Sequence, residues 1–261
     1  MKPGECLSQA SDEQLRLIIT ALQDADRRKD EFLATLAHEL RNPLAPLRSA
    51  LYILGLQPDA AAQSQARAIM DRQLTQLTRL VDDLMDVSRI ARGRLEIRKT
   101  RVSLKDVMHH AVEANRPYLA ELGHALNLSL PSHPIYLHAD PARLAQVFGN
   151  LLTNAAKYTQ PGGRITMTAE RVGGGIAIAV VDTGIGISAE QLPRVFDMFS
   201  QLDGSRERSR GGLGIGLALV ERLVEMHGGT VEAHSAGPGK GASFVVRLAV
   251  LADLPSARQS S

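Results

Sequence analysis

The sequence predicts a two-part α+β protein, in which an N-terminal helical hairpin precedes an α/β sandwich. Two observations support this fold class. The first third of the chain carries leucines at steps of three and four and almost no glycine, which is typical of amphipathic helices. Beyond Gly93 the pattern changes to short alternating segments, Gly-rich turns and further helical segments. That mixture is typical of one sheet covered by helices.

Two long helices are predicted before Gly93. The first is a glycine-free stretch from Ser11 to about Leu54, and Gly55 ends it. The second runs from about Ala60 to Ala91, and Gly93 closes it. Both helices have apolar residues at helical steps, namely Leu36, Leu40, Leu44, Leu47, Leu51 and Leu54, then Ile69, Leu74, Leu77, Val81, Leu84, Val87 and Ile90.

Such a hairpin buries too little apolar surface to be stable alone. Four helices around one core are the simplest solution, so we expect a homodimer whose two hairpins form a four-helix bundle. The alternative is that the hairpin packs against the rest of its own chain.

The second part of the chain combines predicted strands and helices. Asp140 precedes one helix as its cap, and Pro141 occupies the first helical position. The predicted helices are KDVMHHAVEANRPYLAEL, ADPARLAQVFGNLLTNAAKYT and LALVERLVEMHG. The predicted strands are LEIRKTRVSL, ALNLSL, RITMTAERV, GGGIAIAVVDTG and ASFVVRLAV.

We place the boundary between the two parts near residues 92–100. The predicted domains are residues 25–93 for the hairpin and 94–250 for the sandwich. Residues 1–24 are interpreted as a linker or the end of a coiled coil, and residues 251–261 as a disordered tail or a linker.

The composition excludes several classes of protein. A net charge of +2 with interspersed signs gives no reason to expect nucleic-acid binding, and 3% aromatic residues without tryptophan disfavour a base-stacking surface. The single Cys6 excludes a disulfide framework or a cysteine zinc site. No window resembles a membrane span or a signal peptide, so we expect a soluble, cytoplasmic chain.

The first chemical constellation lies in FLATLAHELRNPL, residues 32–44. His38 lies off the leucine stripe, Glu39 follows it, and Asn42 lies one turn further on the same face. Pro43 removes a helical hydrogen bond and is expected to bend the helix. An exposed imidazole is a competent nucleophile that Glu39 could orient, while Asn42 could orient a water. An ordinary helix surface remains the alternative from these residues alone.

The second constellation lies in NLLTNAAKYT, residues 150–159. Asn150 and Asn154 are four residues apart on one helical face, and Lys157 follows three residues later. Amide oxygens can bind Mg²⁺, and the lysine supplies positive charge for phosphates. An amphipathic helix with two asparagines on its polar side is the alternative.

The third and fourth constellations are rich in glycine. In VVDTGIGIS, Asp182 ends an apolar strand and Gly184 and Gly186 follow, so a carboxylate could accept from an exocyclic amine. In GGLGIGLALV, glycines lead into a helix whose N-terminus can bind phosphate; they are Gly211, Gly212, Gly214 and Gly216. The preceding LDGSRERSR is too polar for a Rossmann strand and is interpreted as a lid.

In this order, the four segments resemble the H, N, G1 and G2 boxes of sensor histidine kinases. RVFDMFSQ, residues 194–201, resembles the F box of that family. The resemblance covers roughly residues 25–248 and depends on five motifs in the family's order. One departure is minor, since the G2 run reads GGLGIGL where GxGLGL is commoner.

The resemblance implies a dimerisation and phosphotransfer hairpin followed by a Bergerat-type ATP-binding domain. It implies that His38 accepts phosphate, with Glu39 and Asn42 as the pair associated with autophosphorylation and phosphatase activity. The implied ATP-binding residues are Asn150, Asn154, Lys157, Tyr158, Asp182, Gly184, Gly186, Phe196, Phe199, Gly212, Gly214 and Gly216, of which Asn150 and Asn154 would hold Mg²⁺.

The implied function is ATP-dependent autophosphorylation on His38, followed by transfer to an aspartate in the receiver domain of a response regulator. No sensor domain precedes the hairpin and no receiver domain follows the sandwich, so the family suggests a fragment or a kinase regulated by another chain. The alternatives are an ATPase clamp like gyrase or the heat-shock chaperones, a nucleotide-binding scaffold, or a core that acts mainly as a phosphatase.

Overall fold

The computed structural model describes residues 3–56, 59–200 and 213–251. Contacts divide this part of the chain into two compact units. The first contains the helical residues up to Asp82, together with Leu213. The second begins at Asp83 and contains the remaining described residues.

Two helices make up the N-terminal region, as predicted. Helix α1 spans Pro3–Gly55 and helix α2 spans Ala60–Ala91. The carboxylate of Asp59 accepts a hydrogen bond from the N–H of Ala62 (2.8 Å), which caps the start of α2. Ala50 of α1 and Ala66 of α2 are each 1% exposed, so small side chains are buried in this unit.

The second unit is built on a five-stranded mixed sheet. The strands of this unit are β1 (Thr100–Ser103), β2 (Ala125–Ser129), β3 (Tyr136–Ala139), β4 (Arg164–Val172), β5 (Gly175–Asp182), β6 (Thr230–His234) and β7 (Ser243–Ala249). Its helices are α3 (Leu104–Glu121), between β1 and β2, α4 (Pro141–Tyr158), between β3 and β4, and α5 (Gly216–Met226), between β5 and β6. The large sheet has the order β2-β4-β5-β7-β6, and β1 pairs separately with β3. Only the β2–β4 pair is parallel in the large sheet.

Alternating burial along the strands explains why helices cover the sheet. The side chains of every second residue on β4, β5 and β7 are buried, and those between them are more exposed. The buried set packs with the apolar faces of α3, α4 and α5 in one hydrophobic core. The predicted fold class, a helical region followed by an α/β sandwich, is therefore confirmed.

Some predicted strands differ from the structure. LEIRKTRVSL forms a strand only over its last part, β1, and the short strands β3 and β6 were not predicted. Strand β6 lies at an edge of the sheet and has no buried residue. An edge strand of this kind does not need alternating apolar residues, and its sequence TVEAH shows no strong alternation that could have predicted it. No helix in the described part of the chain is long and apolar enough to cross a membrane.

Asp140 caps α4, as predicted, and also holds the segment that follows α2. Its Oδ1 accepts from the N–H groups of Ala142 (3.1 Å) and Arg143 (3.2 Å). Its Oδ2 accepts from the N–H of Arg98 (2.8 Å). Burial alone would raise the pKa of Asp140, but the three N–H donors outweigh burial and lower it.

The last turns of α2 also contact the first turns of α4. Asp86 is 3% exposed, and its carboxylate accepts from the guanidinium of Arg143 and from the amide of Gln146 (3.0 Å). A buried carboxylate requires such partners, because an unpaired charge would be strongly destabilising. The residues of α2 from Asp83 onward therefore belong physically to the second unit.

His227 links the end of α5 to the start of α4. Its Nδ1 donates to the carbonyl of Leu223 (2.6 Å), and its Nε2 accepts from the N–H of Asp140 (3.0 Å). Both contacts require the neutral imidazole, because a protonated Nε2 has no lone pair for the N–H of Asp140. Burial lowers the pKa of His227; the Leu223 carbonyl and Asp140 oppose this shift, and Lys99 adds to it.

We expect His227 to make the second unit less stable in mild acid. The unfolded chain binds a proton near the ordinary histidine value of 6.5, whereas the folded chain binds it only at lower pH. The free energy of unfolding should therefore fall as the pH drops below 6.5. His227→Gln should reduce this dependence in urea unfolding between pH 7.5 and 5.5. The exposed His133→Gln is the matched control and should retain it, and equal slopes for both variants would contradict this role.

Candidate active site

The proposed phosphoacceptor region lies on α1. His38 and Asn42 are exposed, while Glu39 is 7% exposed and Pro43 is buried. Successive helical residues are about 100° apart, so the imidazole and the carboxylate of its neighbour emerge in different directions. The structure thus leaves His38 accessible to a reaction partner, with the Asn42 amide one turn away on the accessible side.

Helix α4 positions the polar residues of the second unit. One face of this helix is buried in the core, which leaves Asn150, Asn154 and Lys157 on its other side. The side-chain nitrogen of Asn150 is buried and has no hydrogen-bond partner among the described residues. Buried polar groups are normally satisfied, so an orphaned amide suggests a site for a ligand.

The two asparagines converge on the start of α5. A Cβ atom at Gly216 would lie 3.9 Å from the side-chain nitrogens of both Asn150 and Asn154. Gly216 is the first residue of α5, and the N-cap residue before it, Ile215, has no side-chain hydrogen bond that caps this end. Backbone N–H groups at a helix N-terminus attract phosphate, so the two amides and this terminus together could bind an anion.

Asn150 and Asn154 supply too few oxygen atoms to hold a hard cation alone, so a cation here would also need a bound phosphate. Amide oxygens suit Mg²⁺, which also keeps water and binds phosphate oxygens. The described residues contain no cluster of three His, Cys, Asp or Glu side chains that could hold a metal alone. The orphaned Nδ2 of Asn150 is a donor, so it fits a phosphate oxygen, whereas the Oδ1 atoms of Asn150 and Asn154 are the atoms that would hold Mg²⁺ beside that phosphate.

Asp182 ends β5 in a buried position and is 6% exposed. Its Oδ1 accepts from the N–H groups of Gly184 (2.8 Å) and Ala242 (3.3 Å). Burial raises the pKa of Asp182, and the two N–H donors offset only part of this rise. These bonds fix one carboxylate oxygen, so the other can accept from a ligand.

The glycines after Asp182 are required by contacts within the protein. A Cβ atom at Gly184 would lie 2.3 Å from the carbonyl oxygen of Tyr158, and one at Gly186 would lie 2.1 Å from that of Gly237. Gly186 also has a φ of 70°, which side chains other than glycine rarely adopt. The turn is therefore packed directly against the end of α4 and the loop before β7.

Lys157 and Tyr158 lie at the same end of α4 as this turn. The ammonium of Lys157 lies 4.6 Å from the centre of the Tyr158 ring, and the carbonyl of Tyr158 accepts from the N–H of Ile185 (3.0 Å). Both side chains are partly exposed. Helix α4 thus connects the Asp182 turn to the two asparagines along a single rigid element.

The predicted aromatic residues flank the next segment. The Phe196 ring packs edge-on against Phe244, with the ring centres 6.3 Å apart. Phe199 has a φ of 68°, and its N–H donates to the carbonyl of Gly214 (2.9 Å). Gly212 lies outside the described residues. A backbone hydrogen bond therefore connects Phe199, which precedes residues 201–212, with Gly214, which follows them.

Two family models match the chain. Residues 28–93 match the His Kinase A (phospho-acceptor) domain. Residues 139–252 match the histidine kinase-, DNA gyrase B-, and HSP90-like ATPase domain. The chain belongs to the histidine kinase family.

Individual relatives agree with this assignment. The chain is 34% identical over 238 residues to the sensor histidine kinase RcsC of Escherichia coli K12, which covers 91% of the chain and 25% of RcsC. It is 35% identical over 243 residues to the histidine-protein kinase BaeS of the same strain, covering 91% of the chain and 50% of BaeS. This histidine kinase chain therefore spans a quarter to a half of the length of these relatives.

A solved structure supports the same fold. Full-length ShkA in complex with AMPPNP matches this chain with a TM-score of 0.60 and 31% identity. The match covers 85% of this chain and 46% of ShkA. The helical region and the mixed sheet of this histidine kinase core are thus shared with an experimentally determined structure.

Sequence reasoning missed the loop between β6 and β7 of this kinase core. A Cβ atom at Gly241 would lie 2.0 Å from the carbonyl oxygen of Asp182, and the N–H of Gly241 donates to the carbonyl of Gly184 (3.1 Å). Ser235 bonds to both the Asp182 turn and its own loop. The only sequence signal was the glycine-rich SAGPGKGA, which resembles an ordinary hairpin turn.

We expect Gly186→Ala to damage the Asp182 turn. The new methyl group would collide with the Gly237 carbonyl in a backbone conformation that costs about 1–3 kcal/mol for a non-glycine residue. Urea unfolding and nucleotide titration should show lower stability and weaker binding. Gly174→Ala is the matched control, because it meets no atom within 4 Å. If Gly186→Ala behaved like Gly174→Ala, the close packing of the turn would be wrong.

Proposed function

We propose that this chain binds ATP in its second unit and transfers the γ-phosphoryl group to His38. The observation that carries the proposal is the convergence of Asn150 and Asn154 on the uncapped N-terminus of α5. An anion-binding region there, with an accessible imidazole on α1, supplies both a donor site and an acceptor.

The spacing along α4 suits a nucleoside triphosphate. Asp182 and the Tyr158 carbonyl meet at one end of this helix, where the second carboxylate oxygen would accept from the amino group of adenine. Eight residues separate Tyr158 from Asn150, which is about 12 Å along a helix axis. We therefore assign the base to the Asp182 end and the phosphates to the Asn150 end. ShkA, which was solved with the ATP analogue AMPPNP, supports the binding of a nucleotide by this chain.

The proposed step is an in-line displacement at phosphorus. A ring nitrogen of His38 forms a P–N bond while the bond from the γ-phosphorus to the bridging oxygen breaks, and ADP leaves. Glu39 emerges from α1 in a different direction from His38 and is buried, so we assign it to turn towards the imidazole during this step and accept the proton of the other ring nitrogen. Positioning and charge neutralisation would supply most of the rate, as in other phosphoryl transfers.

Several residues would hold the triphosphate during this step. Asn150 and Asn154 would bind Mg²⁺, which neutralises phosphate charge, and Lys157 would contribute a further positive charge. The backbone N–H groups at the start of α5 would bind phosphate oxygens. Phe196 and Phe199, with Gly214, would fix the chain on either side of residues 201–212, which lie outside the described residues.

We further propose that phosphohistidine passes its phosphoryl group to an aspartate of a response regulator. RcsC and BaeS, which are named as signalling histidine kinases, support this proposal. The exposed amide of Asn42, one turn from His38, also supports the reverse function, in which a water removes the phosphoryl group from the regulator.

A gyrase-like ATPase clamp and a nucleotide-binding scaffold remain the competing functions. The match of residues 28–93 to a phospho-acceptor domain favours a kinase over both, because a clamp or a scaffold has no need for such a domain.

We expect the chain to label itself when incubated with γ-labelled ATP and Mg²⁺. The label should be acid-labile and base-stable, as a phosphoramidate is. His38→Ala should abolish labelling but retain nucleotide binding, whereas Asn154→Ala should lose both because it removes a phosphate-side ligand. Scintillation counting and nucleotide titration provide the two readings.

Two exposed residues provide matched controls for this labelling experiment. His133→Ala and Asn127→Ala remove the same residue types from exposed positions and should label normally. ATP binding by the wild type without label on His38 would instead favour the clamp or the scaffold.

We propose that the hairpin forms a homodimer, and expect Leu51→Glu to weaken it. Leu51 is 56% exposed on α1, and other large apolar residues of the first unit are also uncovered within the described chain, including Leu44, Ile53, Leu74 and Val81. Light scattering during gel filtration should show a dimeric wild type and a monomeric variant. Ser49→Glu, on an exposed polar position of the same helix, should stay dimeric. A monomeric wild type would overturn the proposal.

A further inference from the structure

The loop between β6 and β7, residues 235–242, forms a second wall around the Asp182 turn. The N–H of Asp182 donates to the carbonyl of Ala242 (2.9 Å), and the N–H of Ala242 donates back to Asp182 Oδ1 (3.3 Å). The N–H of Gly239 also donates to the carbonyl of Ile185 (2.6 Å). The carboxylate that would read the base is thus held partly by a segment some 60 residues later in the chain.

One hydroxyl group joins this loop to the turn. Ser235 Oγ accepts from the N–H of Ile187 (3.0 Å) and donates to the carbonyl of Gly241 (2.7 Å). It also accepts from the N–H of Gly237 (3.3 Å). A single side chain therefore connects the Asp182 turn with both the beginning and the end of the loop.

The position of Asp182 Oδ1 depends on two N–H groups that these contacts place. One belongs to Gly184 in the turn, and the other belongs to Ala242 at the end of the loop. Without the bridge, only backbone hydrogen bonds join the loop to the turn, so the N–H of Ala242 can shift and the carboxylate is oriented less precisely. A base-reading carboxylate discriminates only if its free oxygen is held where the amine of the base must lie.

We infer that Ser235 is a positioning residue that sets the base selectivity of the nucleotide site by orienting Asp182. This inference rests on the proposed binding of ATP. Ser235 itself touches no nucleotide in this account, since its three hydrogen-bond positions are occupied by backbone groups of the turn and the loop. Its effect should therefore appear in the recognition of the base rather than in the chemical step.

The test compares ATP with purine riboside triphosphate, which lacks only the exocyclic amine. The full chain is assayed for self-labelling, and kcat and KM are measured for both nucleotides. We expect the wild type to prefer ATP in kcat/KM. Ser235→Ala should reduce this preference about five- to tenfold, through a higher KM for ATP with kcat nearly unchanged, since it removes a group that makes several hydrogen bonds.

Three further variants separate positioning from general damage. Ser235→Thr retains the hydroxyl and should restore the preference, and Ser235→Cys, with a weaker donor, should be intermediate even if the alanine variant folds poorly. Ser188→Ala removes a hydroxyl that, within the described parts of the chain, donates to Gln191, and it should match the wild type. Urea unfolding of each variant confirms that it is folded.

The outcomes are distinct. An unchanged preference in folded Ser235→Ala, or an equal loss with both nucleotides, would overturn the role of Ser235 while leaving the kinase proposal intact. A wild type that binds ATP and purine riboside triphosphate equally would show that Asp182 does not read the amine, which also overturns the inference. A wild type that binds neither nucleotide would remove the proposed function itself.

Discussion

The burial of α4 is the constraint on which the rest of the second unit depends. Seven of its side chains are buried in the core between the sheet and the neighbouring helices, namely Leu144, Val147, Phe148, Leu151, Leu152, Ala155 and Ala156. Protein interiors are close-packed, so a helix with such a face cannot rotate without opening cavities. The directions of Asn150 and Asn154 are therefore determined by apolar packing on the opposite side of the same helix.

Backbone contacts provide a second, independent constraint at the other end of the site. The turn after Asp182 packs against α4 on one side and against the β6–β7 loop on the other, at distances that leave no space for side chains at Gly184, Gly186 and Gly241. Apart from Ser235 and the carboxylate of Asp182, the main chain makes these contacts. The Asp182 end of the site is thus made rigid mainly by the main chain, and the Asn150 end by the packing of one helix.

The sequence predicted the features that depend on local pattern. The limits and cap of α4, the strand that ends at Asp182, and the two long helices all follow from signals within a few residues. The contacts that sequence reasoning missed join distant residues. Arg98 lies 42 residues from Asp140, Ser235 lies 48 from Ile187, and Asp86 lies 57 from Arg143. No local periodicity encodes such pairs, and the weak strands β3 and β6 were missed because their partners decide their conformation.

Helix α4 connects two functionally different regions, because its first turns contact α2 and the segment after it, and its later turns carry the two asparagines. Its cap residue Asp140 binds Arg98 of the segment after α2, and its first turns bind the carboxylate of Asp86 near the end of α2. Its later turns carry Asn150 and Asn154. Eleven residues from Arg143 to Asn154 span about 16 Å. Because α4 is packed into the core, it can tilt only together with the elements around it. A tilt of about 5° of that body moves Asn154 by about 1.4 Å over that span, and a misplacement of about 1 Å can reduce a reaction rate about a hundredfold. A small displacement of the end of α2 would therefore shift the position of Asn154, although the residues that line the site stay the same.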